Sequence, residues 1–154
     1  MRYRLFILLA TGAVAAIAAA VAVAGPSGSD NGTMCVENAQ LRPENETPTS
    51  TSTAKGHAQI KVRNDGTIEY RWFILNKDAE SFFVGHIHRK NPNSPVGPPV
   101  VFLFSGPATT ERHIRGEGET TSPVAADICE NPTAYYVNFH TTANAPGAIR
   151  GDLG

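Results

Sequence analysis

The sequence has little of what most enzymes use. Its 154 residues include only two cysteines, Cys35 and Cys129. They form no C-x-x-C pair, which excludes a dithiol redox centre. No G-x-S-x-G occurs, and no serine or cysteine sits in a nucleophile context, so hydrolase chemistry is excluded and no catalytic residue is assigned. Charge is sparse and balanced, with 13 basic and 14 acidic residues and a net charge of −1. No basic patch stands out, which excludes nucleic acid and anionic membrane surfaces as partners. No stretch sustains a helical period, which excludes a helix bundle. Enzymatic chemistry is left only one route, through a metal.

The chain begins with an export signal. Arg2 and Arg4 precede an uncharged apolar run from Leu5 to Val23, and Ala22-Val23-Ala24 has the small-x-small form of a cleavage site. Residues 1–24 are expected to be a signal peptide. Left uncleaved, the run from Leu5 to Ala24 is long enough to be an N-terminal membrane anchor. Gly25 rather than a cysteine stands directly after the cleavage point, which argues against a lipoprotein. Either way the remainder is exported, to a secreted or periplasmic location. The mature chain would hold 130 residues (154 − 24) with 11 basic (13 − 2) against 14 acidic, a net charge of −3. Residues 25–33 read as a flexible linker, and residues 34–154 as one domain with a single core.

An even cysteine count in an exported protein reads as one disulfide. The alternative is two buried thiols. A Cys35–Cys129 bridge would span 94 residues (129 − 35). Loop closure of that length contributes about 4–5 kcal/mol by chain entropy.

Short strands fill the rest. Met34 to Leu41 is a first strand, and Arg42 to Thr53 a polar surface loop. Asn31-Gly32-Thr33 and Asn45-Glu46-Thr47 match the glycosylation acceptor pattern, which the bacterial character of the signal makes coincidental. Ala58, Ile60 and Val62 alternate with polar residues, Asn64-Asp65-Gly66 is a turn, and Ile68, Tyr70, Trp72 and Ile74 share the face of the returning strand. Phe82 to His88 forms the next strand, a Pro/Gly/Asn-rich connection runs from Arg89 to Pro99, and Val100 to Phe104 follows as a buried strand. Ser105 to Thr110 is expected to be a loop. Arg112 to Thr120 reads as an irregular edge strand, because its glycines and charges suit an edge. Ser122 to Glu130 reads as a helical turn with Ser122 as N-cap and Pro123 in first position. Tyr135 to Thr141 and Ala148 to Leu153 close the chain as strands. Ile-Arg-Gly plus an acid occurs twice, at 114–117 and 149–152, too short a match to mark a repeat. Seven or eight short strands with Gly/Pro turns predict an all-β, Greek-key antiparallel sandwich in a single domain.

The residues with site chemistry are histidines. Period two places Phe82, Val84, His86 and His88 on one face, with the two imidazoles about 7 Å apart along the strand. On the later strand, Tyr136, Asn138 and His140 share a face. Pairing of these strands brings His140 to His86 and His88, and three neutral imidazoles can hold zinc or copper. The competing reading is structural: histidines bonded to loop carbonyls and tyrosine hydroxyls. His57 and His113 lie in polar contexts and read as solvated. Tyr70, Trp72, Tyr135 and Tyr136 read as core and cross-strand residues.

His86-Ile87-His88, followed by Gly97-Pro98 and Val100-Val101, resembles the middle of the CHRD domain, the family named after chordin. Tyr135-Tyr136-Val137-Asn138-Phe139-His140-Thr141, followed by Pro146-Gly147-Ala148-Ile149-Arg150-Gly151, resembles its C-terminal signature. Gly56 with Asp65-Gly66-Thr67 fits its first hairpin. The resemblance runs from about Leu41 to Leu153. It departs between Ser105 and Cys129, and Ala148 stands where an acidic residue is common. It implies a secreted, immunoglobulin-like β-sandwich and little about chemistry. Arg150 and Asn138 are expected to be structural, with Arg150 tying the last strand to the loop around His88 and His140. The His-x-His strand also resembles that of Cu/Zn superoxide dismutase, but the acidic and bridging ligands of that enzyme have no counterpart here. The sequence thus predicts a monomeric, non-catalytic binding or structural module without a cofactor, acting on an extracellular or cell-envelope partner. The alternative is a copper or zinc protein, redox-active or not, centred on His86, His88 and His140.

Overall fold

The computed structural model describes residues 32–154. The expected signal peptide and nearly all of the expected linker lie outside them. Eight strands are formed: β1 (Thr33–Leu41), β2 (Lys55–Arg63), β3 (Thr67–Leu75), β4 (Phe82–Arg89), β5 (Pro99–Thr109), β6 (His113–Thr121), β7 (Tyr135–Thr141) and β8 (Ile149–Asp152), with a short helix α1 (Ala125–Glu130). They make two four-stranded antiparallel sheets, ordered β1-β2-β3-β6 and β5-β4-β7-β8. β6 returns beside β3 and β7 beside β4, the long-range pairing of a Greek key. Among the described residues, no helix is long and apolar enough to cross a membrane.

The β2–β3 hairpin follows from local chemistry. Gly66 takes φ 83°, a left-handed value that glycine reaches without a Cβ penalty. The Asp65 carboxylate accepts from the Thr67 amide at 2.9 Å and holds the turn. The register then sets Ala58 opposite Trp72 and Val62 opposite Ile68, all facing the other sheet. Trp72 crosses the interior to the Phe139 ring of β7, with centroids 4.8 Å apart. Ile60, Ile74, Ile87, Val137 and Ile149 complete the core, each fully buried.

Three details differ from the sequence reading. Ser105 to Thr109 is strand, not loop: it continues β5 against β4, with Ser105 opposite Val84 and Thr109 opposite Phe82. Its side chains are mostly exposed, so backbone pairing rather than an apolar pattern holds it there. A bulge between Phe82 and Val84 breaks the alternation in β4. Phe82 therefore enters the core with Ile87, while Phe83 turns outward beside the His140 ring. The helix begins at Ala125 with Val124 before it and no side-chain cap. The Ser122 hydroxyl instead accepts from the Val124 amide at 3.4 Å in the preceding turn.

β6 is an edge strand of the first sheet, and its glycines have a packing reason that propensity alone does not supply. A Cβ on Gly116 would lie 2.4 Å from Cζ2 of Trp72, and one on Gly118 2.6 Å from the Tyr70 hydroxyl. Both glycines make room for aromatic side chains on β3.

Cys35 of β1 and Cys129 of α1 are joined by a disulfide with Cα atoms 5.6 Å apart. A second tie closes the opposite end of β1. Arg42 and Arg150 exchange backbone hydrogen bonds of 2.9 and 3.0 Å, so the chain leaving the first sheet pairs with the edge of the second.

Candidate functional site

β7 is buried along its whole length, although it has only one face in the core. Its other face, with Tyr136, Asn138 and His140, is covered by the two polar connections. The 42–54 loop reaches it through Glu46, whose carboxylate accepts from Asn138 Nδ2 at 3.0 Å. The 90–98 connection reaches it through the Gly97 amide, which donates to the Tyr136 hydroxyl at 3.4 Å, and through the Pro95 carbonyl, which accepts from Arg150 Nη2 at 2.7 Å. Proline and glycine there prevent a helix and leave carbonyls and amides turned onto the sheet.

Beneath this cover lie the three histidines. In the β4–β7 register His86 stands opposite Asn138, His88 opposite Tyr136, and Val84 opposite His140. The three residues are each 8–9 % exposed. His86 and His88 centroids are 5.2 Å apart, His86 and His140 5.2 Å, and His88 and His140 6.2 Å.

Their partners fix the tautomers. His88 Nδ1 lies 2.9 Å from the Gly97 carbonyl, and His140 Nδ1 lies 2.9 Å from the Ala145 carbonyl. A carbonyl can only accept, so both Nδ1 atoms carry the proton and both Nε2 atoms keep a lone pair. His86 Nδ1 lies 3.3 Å from His140 Nε2 and donates to it when protonated there. The other free lone pair, on His88 Nε2, is buried without any hydrogen-bond partner. Burial pushes all three imidazoles down, His86 to about 4, where the neighbouring His140 and His88 add to the effect. For His88 the Gly97 carbonyl opposes the fall, as does the nearby Asn138, although their side chains complete no hydrogen bond. All three rings are therefore neutral at physiological pH.

One nitrogen from each ring lies within 4.8 Å of the others. A three-coordinate ion with bonds of about 2 Å needs its nitrogens about 3.5 Å apart, so modest ring rotations close the triangle. An Nδ1–H held by a backbone carbonyl, with Nε2 directed inward, is how metal-binding histidines are oriented. Among the described residues the cluster contains no carboxylate and no thiolate.

Aromatic rings wall the site. Tyr136 stacks on His88 at 4.8 Å and 10°, Phe102 meets His86 edge-on at 4.6 Å, and Phe83 stands 6.4 Å from His140. Phe102 is 59 % exposed and forms the solvent side of the wall. On β8, the Arg150 guanidinium carbon lies 3.5 Å from the Tyr136 centroid. Arg150 is itself 3 % exposed, and its Nε and Nη1 lack hydrogen-bond partners. Glu46 is pushed up to about 7 by burial, against the opposing pull of Arg150 and of the hydrogen bond from Asn138.

Sequence reasoning did not find Glu46, Pro95, Phe102 or Ala145, and it read Tyr136 only as a packing residue. Glu46 lies in a Ser/Thr-rich loop whose composition signals solvent. Asn45, in the acceptor-like triplet, uses its amide to bind the Arg150 carbonyl at 3.0 Å. His57 and His113 lie on the first sheet, exposed on either side of Phe73, with no part in the triad. The groove lined by Lys61, Glu69, Arg71 and Glu117 on that sheet holds surface charges of both signs.

The family model of the CHRD domain matches residues 38–153. That span runs from β1 to the end of β8 and includes every residue of the triad. No curated protein sequence matches the chain.

Proposed function

Because the chain belongs to the CHRD domain family, we propose that it is an exported, non-catalytic binding module with the sandwich as a rigid scaffold. The observation that carries this reading is the family match over residues 38–153, from within β1 to the end of β8. The Cys35–Cys129 disulfide supports an oxidising, extracytoplasmic location. The partner is an extracellular or cell-envelope component, met by a monomer. Fractionation of cells expressing the full chain tests the export reading. Processed protein beginning at Gly25, with both thiols blocked to alkylation, is expected outside the cytoplasm. Full-length protein retained in the cytoplasm with free thiols would refute it.

A second reading has its own support, the unpartnered lone pair of buried His88 Nε2. An imidazole desolvated without a partner costs stability unless something completes it. In this reading His86, His88 and His140 bind a copper or zinc ion, and that ion is what the module holds. Metal titration of the purified protein decides it. One equivalent bound with submicromolar affinity, and lost in His88→Ala, is expected. No binding by the wild type leaves the first reading alone.

A further inference from the structure

The triad's charge environment goes beyond the presence of a metal, and it bears on which ion the site prefers. We infer that the site selects monovalent copper, Cu(I), over divalent zinc, an inference that rests on the metal-binding reading above.

The donor set is neutral. Three imidazoles contribute no negative charge, and no carboxylate or thiolate joins them among the described residues. A bound ion therefore keeps its full formal charge. The cost of placing that charge in a desolvated site rises with its square, so a divalent ion pays about four times what a monovalent one does. The site is desolvated: all three ligands are at least nine-tenths buried, and Tyr136, Phe102 and Phe83 surround them.

A fixed cation adds to this. His88 on β4 and Arg150 on β8 flank the Tyr136 ring of β7, at 4.8 Å and 3.5 Å from its centroid. The guanidinium cannot lose its proton. Its repulsion of a bound ion doubles when the ion's charge doubles. Two carboxylates oppose the guanidinium: the exposed Asp152, 3.5 Å from Arg150 Nη2, and the buried Glu46. Glu46 is bonded to Asn138, which stands opposite His86 on the ligands' own face of the sheet, but it is not itself one of the clustered donors.

Coordination number points the same way. Zinc takes four ligands, and here a water would have to supply the fourth. A filled-shell monovalent copper ion is satisfied by three nitrogens in a plane, which is what the triad offers. No redox step is needed for this preference.

The test is a pair of competition titrations on the metal-free full chain, under anaerobic conditions at pH 8. Cu(I) is titrated against bicinchoninate, and Zn(II) against a chromophoric zinc chelator. One Cu(I) per chain is expected, bound at least about tenfold more tightly than Zn(II), with binding lost in His88→Ala. Arg150→Gln should narrow the Cu(I)-to-Zn(II) ratio, and Glu46→Gln should widen it. The second variant keeps the charge argument testable should Arg150→Gln fail to fold. Zinc bound as tightly as Cu(I) or more so would overturn the selectivity while leaving the metal reading intact. Ratios unmoved in both folded variants would overturn the electrostatic cause. Failure of both metals to bind would remove the metal reading and this inference together.

Discussion

The Arg150 guanidinium lies 3.5 Å above the Tyr136 ring, and the ring's other neighbour is His88. One residue thus couples the last strand to the buried histidines, and its Nη2 also holds the Pro95 carbonyl of the covering connection. Removing it breaks one of the covering connection's ties to the sheet, leaving those of Gly97, and takes the cation away from buried Glu46. Arg150→Ala is expected to cost about 2–4 kcal/mol, the range for breaking a buried charged network. Arg150→Lys should recover only part, because a point charge cannot both stack and reach Pro95. Urea melts of the three proteins measure this.

Loss of the disulfide should be costly as well. The bridge closes a 94-residue separation, and removing such a bond typically costs about 2–5 kcal/mol. A Cys35→Ser/Cys129→Ser double variant is expected to melt at lower urea by that amount. Reducing agent should lower the wild type to the same midpoint and leave the variant unmoved.

Stability should carry an unusual pH signature at Glu46. Its carboxyl is raised by burial from 4.5 to about 7, so the folded protein holds the proton more tightly than the unfolded chain. That contribution is complete below pH 4.5 and is lost as pH rises through 7. It amounts to about 3 kcal/mol. The histidines act oppositely: lowered in the fold, they contribute fully above their ordinary 6.5 and lose that contribution as pH falls below it, towards about 4 for His86. Comparing wild type with Glu46→Gln cancels the histidine part. The variant should gain stability relative to wild type between pH 5 and pH 8, read from urea midpoints at each pH. A constant difference would show that Glu46 does not titrate in that window.

The glycines of β6 should be unequal in their tolerance of a methyl group. Gly116→Ala places a carbon against Trp72, which is wedged between Phe139 and Phe104 with centroids 4.8 and 5.5 Å away. Overpacking of this kind costs about 1–3 kcal/mol. Gly118→Ala meets the free end of the half-buried Tyr70 side chain, which can swing aside, and should cost less. By contrast Gly106→Ala, in β5, whose nearest neighbour is 3.8 Å away, should be close to neutral. Thermal melts of the three variants rank them.

The two-sheet architecture was legible because its strands carry alternation that needs no tertiary information. Ala58-Ile60-Val62 and Ile68-Trp72-Ile74 face one way, and Asp65-Gly66 supplies the only turn that fits between them. The triad was legible in part for the same reason, since His86-x-His88 is fixed by a period of two. What stayed hidden depended on partners distant in sequence. Phe82 reads as facing with His86 until a bulge, set by β5 and β7 together, turns it inward. Ser105 to Thr109 has the composition of a loop and becomes strand only because β4 offers a ladder. Glu46 looks solvated until Asn138, 92 residues later, takes its carboxylate. No local rule reports a burial that two remote segments create between them.

The backbone exchange between Arg42 and Arg150 sets a condition on how the molecule comes into being. Its partners are 108 positions apart (150 − 42). Closure of such a distant pair is slow, because the loop entropy is lost before any contact repays it. A ribosome, or any channel that passes the chain N-terminus first, must therefore release the chain through Arg150 before the side of the sandwich can seal. Until then the edge of the second sheet and the histidine layer stay open to whatever the surrounding compartment contains.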